Sequence, residues 1–281
     1  MRKTTIAALA AVSLIALSGC RQTTTGENAA TTENAAAPAA AAGADPINAT
    51  WKTDLASIKI DSKPDELLLK DGKFSCPTCT PPITVAADGA FHPVDRPYAD
   101  HMSVKVDDDH NVTRTNQKGG KTTYTQKFNV SADGNTLTVN FSDVSGTKPV
   151  TGTYTETRAA PAPAGAHAMS GSWKGQPPTN VSDEGLTLTL SADNDMLHLS
   201  TPSGQSYDAK LDGTETPIKG DIGGTTASVK KLGPGSYEET DKRQGKVTDV
   251  ITMTVGADGK LSVKDENKLD GSTTTSVANK Q

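Results

Sequence analysis

Apolar residues alternate with hydroxylic or charged ones in YTQKFNV (124–130), LTVNF (137–141), LTLTLS (186–191) and ITMTV (251–255). A period of two sets alternate side chains on one face of a strand and lets that face be buried. Asp-Gly or Gly-Gly pairs punctuate the runs at Asp71-Gly72, Asp88-Gly89, Gly119-Gly120, Asp133-Gly134, Asp212-Gly213, Asp258-Gly259 and Asp270-Gly271. They supply the positive φ angles of tight hairpin turns. After residue 46 helical spacing never outlasts two turns. KPDELLLK (63–70) is the one candidate helix, and it runs into Asp71-Gly72. Many short strands in hairpins predict an antiparallel up-and-down meander, which hides its edges best by closing into a barrel.

The pattern occurs twice. TRTNQKGGK (113–121) lies over EETDKRQGK (238–246) at an offset of 125, and FNVSADG (128–134) follows over MTVGADG (253–259) without a gap. DGAFHPV (88–94) lies over DGTETPI (212–218) at 124, and Trp51-Lys52 over Trp173-Lys174 at 122. Four ordered matches define two copies, 47–158 and 170–281, joined by the Pro/Ala segment AAPAPAGAHAM (159–169). The expected class is all-β, two tandem up-and-down barrels. Residues 20–46 hold almost no large apolar group and read as a tether.

The N-terminus adds a compartment. Met1-Arg2-Lys3 precedes an apolar run of 12 residues, Ile6 to Leu17, too short for a stable span but suited to a signal peptide. Leu17-Ser18-Gly19-Cys20 resembles the lipobox of bacterial lipoproteins. That resemblance implies cleavage of residues 1–19, acylation of Cys20 and, with Arg21 next, sorting to the outer membrane facing the periplasm. Loss of Arg2 and Lys3 leaves 26 basic against 33 acidic residues, a balance of −7. That disfavours a nucleic-acid partner and leaves the lipid as the membrane contact.

Trp-Lys at the start of a copy followed by hairpin strands resembles the lipocalin-like barrels. YDAKLDGTETPIKGD (207–221), VKKLGPGSYEETDKRQGKV (229–247) and MTVGADGKLSV (253–263) resemble a family of small secreted bacterial domains. CPTCTPPITVAADGAFHPV (76–94) and MSVKVDDDHNVTRTNQKGGK (102–121) resemble its cysteine-bearing form. The resemblance implies fold and compartment and brings no catalytic residue.

Cys76-Pro77-Thr78-Cys79 has the spacing of a redox pair, but Pro81 and Pro82 block the helix that would lower a thiol pKa there. A zinc site lacks a second Cys-x-x-Cys, although His92 and His101 remain as candidate ligands. An oxidising compartment favours a local Cys76–Cys79 disulfide. Asp107, Asp109 and Asn111 begin like a calcium loop, yet Val112 and Lys118 stand where Gly and Glu belong. A solvated hairpin tip is expected instead. His110 and His198 read as surface or hydrogen-bonded residues.

No nucleophile motif or phosphate loop appears, so neither an enzyme nor a cofactor is expected. Aromatics form 4% of the chain and apolar residues 34%, which promises no large pocket. Two readings follow: capture of a small or lipidic ligand at a barrel mouth, or an interaction or inhibitor module with solid barrels that binds an envelope protein. A third, an enzyme using the cysteine loop, needs a cleft and a shifted thiol. Candidate ligand contacts fall in the first copy, at Phe91, His92, Tyr98 and His101, where the second has Glu215, Thr216 and the run 223–226.

Overall fold

A computed structural model describes residues 44–281. The expected signal peptide, Cys20 and the expected tether up to residue 43 lie outside the described residues.

The first half contains β1 (Ala49–Thr53), β2 (Lys59–Asp61), β3 (Asp65–Lys70), β4 (Lys73–Cys76), β5 (Ile83–Ala86), β6 (Asp88–Arg96), β7 (Ala99–Val106), β8 (Asn111–Lys118), β9 (Lys121–Val130), β10 (Thr136–Asp143) and β11 (Val150–Ala160). The second contains β12 (Gly171–Gly175), β13 (Asn180–Val181), α1 (Asp183–Leu186), β14 (Thr187–Asp193), β15 (Met196–Ser200), β16 (Ser206–Lys210), β17 (Thr216–Pro217), β18 (Thr225–Gly233), β19 (Ser236–Arg243), β20 (Lys246–Val255), β21 (Leu261–Asn267) and β22 (Thr273–Lys280). The candidate helix at 63–70 is a strand. Leu67 and Leu69 point into the core while Glu66, Leu68 and Lys70 point away, so alternation overrides the weak helical spacing.

The strands form two antiparallel, nearly closed barrels of eleven strands each. One runs β5-β4-β3-β12-β11-β10-β9-β8-β7-β6, the other β16-β15-β14-β1-β22-β21-β20-β19-β18-β17. Within each sheet consecutive strands pair, except at the seams β5/β6 and β16/β17 and where a strand comes from the other copy. The first strand of each copy is exchanged. β1 lies between β14 and β22, with Trp51 opposite Leu188 and Lys280. β12 lies between β3 and β11, with Trp173 opposite Asp65 and Arg158. β2 and β13 cross with them, onto β22 and β11.

The expected halves, 47–158 and 170–281, thus each give their first strand to the other barrel. The segment 159–169 is accordingly not a free spacer. It is the connection of the β11–β12 hairpin and packs down: the His167 amide donates to the Leu69 carbonyl at 2.9 Å, and Met169 is buried. The expected tether ends early as well, since Asp45 accepts from Lys231 at 2.6 Å and from the Tyr237 hydroxyl at 2.7 Å.

The copies otherwise match in detail. Trp51 Nε1 donates to the carbonyl of Ile47 at 2.9 Å, and Trp173 Nε1 to that of Met169 at 2.8 Å. The β8–β9 hairpin shifts register between Asn116 and Gln117, the β19–β20 hairpin between Asp241 and Lys242. Gly120 and Gly245 hold positive φ at the two turns.

Candidate functional site

The cysteine loop is a staple in the first barrel. Cys76 ends β4, Cys79 lies one turn on, and the two are disulfide-bonded with a Cα–Cα distance of 5.4 Å. Both are buried in the apolar core beside Phe74 and Ile83. Thr78 fixes the loop by accepting from the Glu66 amide at 2.9 Å.

The acidic run forms the β7–β8 tip. Asp108 accepts from the amides of His110 and Asn111, both at 2.9 Å, and Asp107 accepts from Lys105 and Thr113 at 2.6 Å. These carboxylates close their own turn. No group of three or more metal-ligating side chains occurs among the described residues. His198 projects from β15 between Asp208 at 2.8 Å and Asp193 at 3.4 Å; donating to the Asp208 carboxylate raises its pKa.

The four expected contacts do not converge. Phe91 is 41% exposed on β6, His92 bonds Asp88 at 2.8 Å beside it, and His101 bonds Asp100 at 2.9 Å on β7. Only Tyr98 reaches a cavity. Its ring lies under the Arg243 guanidinium of the other barrel, 4.7 Å from the centroid, and its hydroxyl accepts from Arg243 Nη2. A Cβ on Gly223, the position equivalent to Tyr98, would meet that ring at 2.4 Å. Burial raises the Tyr98 pKa to about 12. The junction is quasi-symmetric: Lys118, equivalent to Arg243, donates to the carbonyls of Pro97 and Ile222, which are themselves equivalent.

Beyond this junction an opening of about 350 Å³ is lined by both barrels. On the first side it meets Met102, Arg114, Tyr124, Phe128, Phe141 and Tyr154; on the second, Thr248, Asp249, Asp265 and Ser276. β8, β9 and β10 bring Arg114, Gln126 and Phe141 into one inward row. Arg114 Nη2 donates to Gln126 Oε1, and Gln126 Nε2 donates to the Tyr154 hydroxyl at 2.9 Å. Arg114 Nε and Nη1 are buried with no acceptor among the described residues. Burial lowers the Arg114 pKa to about 10, so the side chain stays charged at neutral pH.

The equivalent row of the second barrel is Glu239, Ile251 and Asp265. Glu239 Oε2 accepts from the buried Tyr207 hydroxyl at 2.8 Å, and burial raises its pKa well above the usual carboxylate range. One row further, Asp249 stands where the first barrel has Tyr124. Burial and then Asp265 push Asp249 up to about 7; burial and then Asp270 push Asp265 up to about 7.

Sequence reasoning missed this row. A signal was present: Arg114 falls at an inward position of the alternation it shares with Val112, as Glu239 does beside Tyr237. Charge at a core position marks either a buried pair or a site. Comparison with protein-family models, curated proteins and solved structures finds no match in any of the three.

Proposed function

We propose that this chain is a non-catalytic binding protein of the cell envelope, anchored through lipid on Cys20, which holds a small or lipidic ligand between and within its barrels. The observation that carries this reading is the opening of about 350 Å³. It falls within the roughly 300–1,000 Å³ of small-molecule sites. Its wall mixes aromatic and aliphatic side chains, which can hold an apolar body, with many polar and charged ones, which can orient it. An interaction or inhibitor module needs no such opening, and its presence favours the first reading.

Uptake of a neutral, environment-sensitive probe such as N-phenyl-1-naphthylamine tests the reading. One saturable site per folded chain, lost on unfolding, is expected. Absence of saturable fluorescence, with a bare mass in native spectra of protein from its own envelope, overturns it. The anchor is tested apart: Cys20→Ala should move the protein out of the membrane fraction.

A further inference from the structure

We infer that Arg114 is the head-group site of this opening, and that the ligand it takes is a monocarboxylate with a compact apolar body. This rests on the reading of the opening as a binding site and adds the chemistry of what enters.

Buried charges in folded proteins are paired, because an isolated ion loses its hydration without compensation. An arginine cannot escape by giving up its proton near neutral pH. Arg114 is 3% exposed, lines the opening, and has no acceptor for Nε or Nη1. Its one bond, through Nη2 to Gln126, fixes the guanidinium rather than neutralising it. The titratable groups that act on it are Tyr124, Tyr154 and, last, Arg96, a second cation on the same wall.

The guanidinium is therefore buried and short of acceptors for two of its donor atoms. A carboxylate fits the unmet donors with charge-assisted hydrogen bonds. The Tyr154 hydroxyl, which accepts from Gln126, has its own hydrogen to give as a further donor. Phe128, Phe141 and Met102 offer the surface for an apolar body.

The second barrel shows that the fold does not require this cation. At the equivalent place it carries Glu239, whose Oε2 accepts from Tyr207. The same frame closes around either side chain, so the cation in the first barrel is not demanded by the fold.

The test is displacement of bound N-phenyl-1-naphthylamine from the full folded chain by octanoate, octanol, octylamine and sodium sulfate. Octanoate should compete roughly ten- to hundredfold more tightly than octanol, the worth of hydrogen bonds to a charged group. Arg114→Met should erase that preference and leave octanol within roughly twofold, since the alcohol makes no ionic contact. Arg114→Lys should restore part of it, and Glu239→Gln should leave it unchanged. The wild-type octanoate-to-octanol ratio decides the matter even if Arg114→Met fails to fold. Octanol equal to octanoate overturns the carboxylate site and leaves the binding reading standing. Preference for octylamine does the same. Sulfate competing as well as octanoate assigns Arg114 to an inorganic counter-ion and overturns the ligand class. No binding by the probe or any competitor overturns both.

Discussion

The two barrels share strand order, register shifts and even a tryptophan hydrogen bond, yet their interiors carry different ionisable groups, a cation in one and carboxyl groups in the other. Arg114, Gln126 and Phe141 in the first stand where Glu239, Ile251 and Asp265 stand in the second. Asn116 and Tyr124 stand where Asp241 and Asp249 stand. The backbone frame tolerates either set, so the frame is held elsewhere: by the strand ladders, the apolar layer and the exchanged tryptophans. Interior polarity is then free to diverge, and what diverges inside a cavity is what selects a ligand.

The comparison breaks first at the tryptophans. Trp51→Ala should destabilise the barrel of 187–280 and Trp173→Ala that of 65–160, each by about 3–5 kcal/mol. The crossed pattern follows from the exchange of β1 and β12. Deuterium uptake by peptide mapping checks it; uncrossed damage means that each copy keeps its own first strand.

pH separates the barrels next. Asp249 and Asp265 have folded pKa values near 7 against an ordinary 3.8. They bind protons in the folded state that the unfolded chain has released. Their contribution is fully present below pH 4 and is lost as pH rises through about 7. Arg243 moderates this at Asp249 and Lys268 at Asp265, while Asp270 and Glu266 enhance it. From pH 8 to 5 the second barrel should gain on the order of 2–3 kcal/mol, read as a rise of roughly 5–10 °C in its melting temperature. Asp249→Asn and Asp265→Asn should lower the slope and leave the part contributed by Glu239, whose pKa burial also raises. The first barrel should show little of it, since Arg114 titrates near 10.

Without ligand, Arg114→Met should stabilise the first barrel by about 1–2 kcal/mol, because it removes an uncompensated buried charge. A clear loss in calorimetry would mean that Arg114 is already neutralised by a structural partner. Smallest of all, Tyr98→Phe should cost about 1 kcal/mol at the junction through loss of the Arg243 bond. Faster amide exchange over 218–226, with the barrels themselves unchanged, is the expected sign.

Much of this frame was legible in the sequence. Alternation along β9, β10, β14 and β20 fixed their inward faces, and the Asp-Gly and Gly-Gly pairs marked most of the hairpins. The repeat was legible because spacing survives divergence: Gly120 and Gly245 turn alike whatever surrounds them. The exchange was not. Trp51 and Trp173 sit in short strands that share the Trp-Lys pair and the same tryptophan hydrogen bond, so local pattern carries little information about which barrel each enters. The candidate site was legible only at Tyr98. Phe91, His92 and His101 are distinctive residue types, but parity along β6 and β7 does not say which ones reach a cavity mouth. Arg114 and Glu239 betrayed themselves only by standing at inward positions.

The exchange also sets the order in which the molecule can be finished. Trp51 is made early, and its register partner Lys280 lies 229 residues later. As the chain leaves the ribosome, the first barrel has all its strands once β12 and β13 have emerged, while β1 has no lasting partner. The vacancy it matches in the meantime is the slot of β12, which it is built to fit almost as well. Early self-pairing there must be undone before Trp173 can enter, and closure of the second barrel waits on the most distant contact in the chain, the slow kind to form. A crowded sample offers β1 another exit, into the unfinished barrel of a neighbouring chain. Refolding at low concentration should therefore return monomer, and refolding at high concentration chains linked through their first strands.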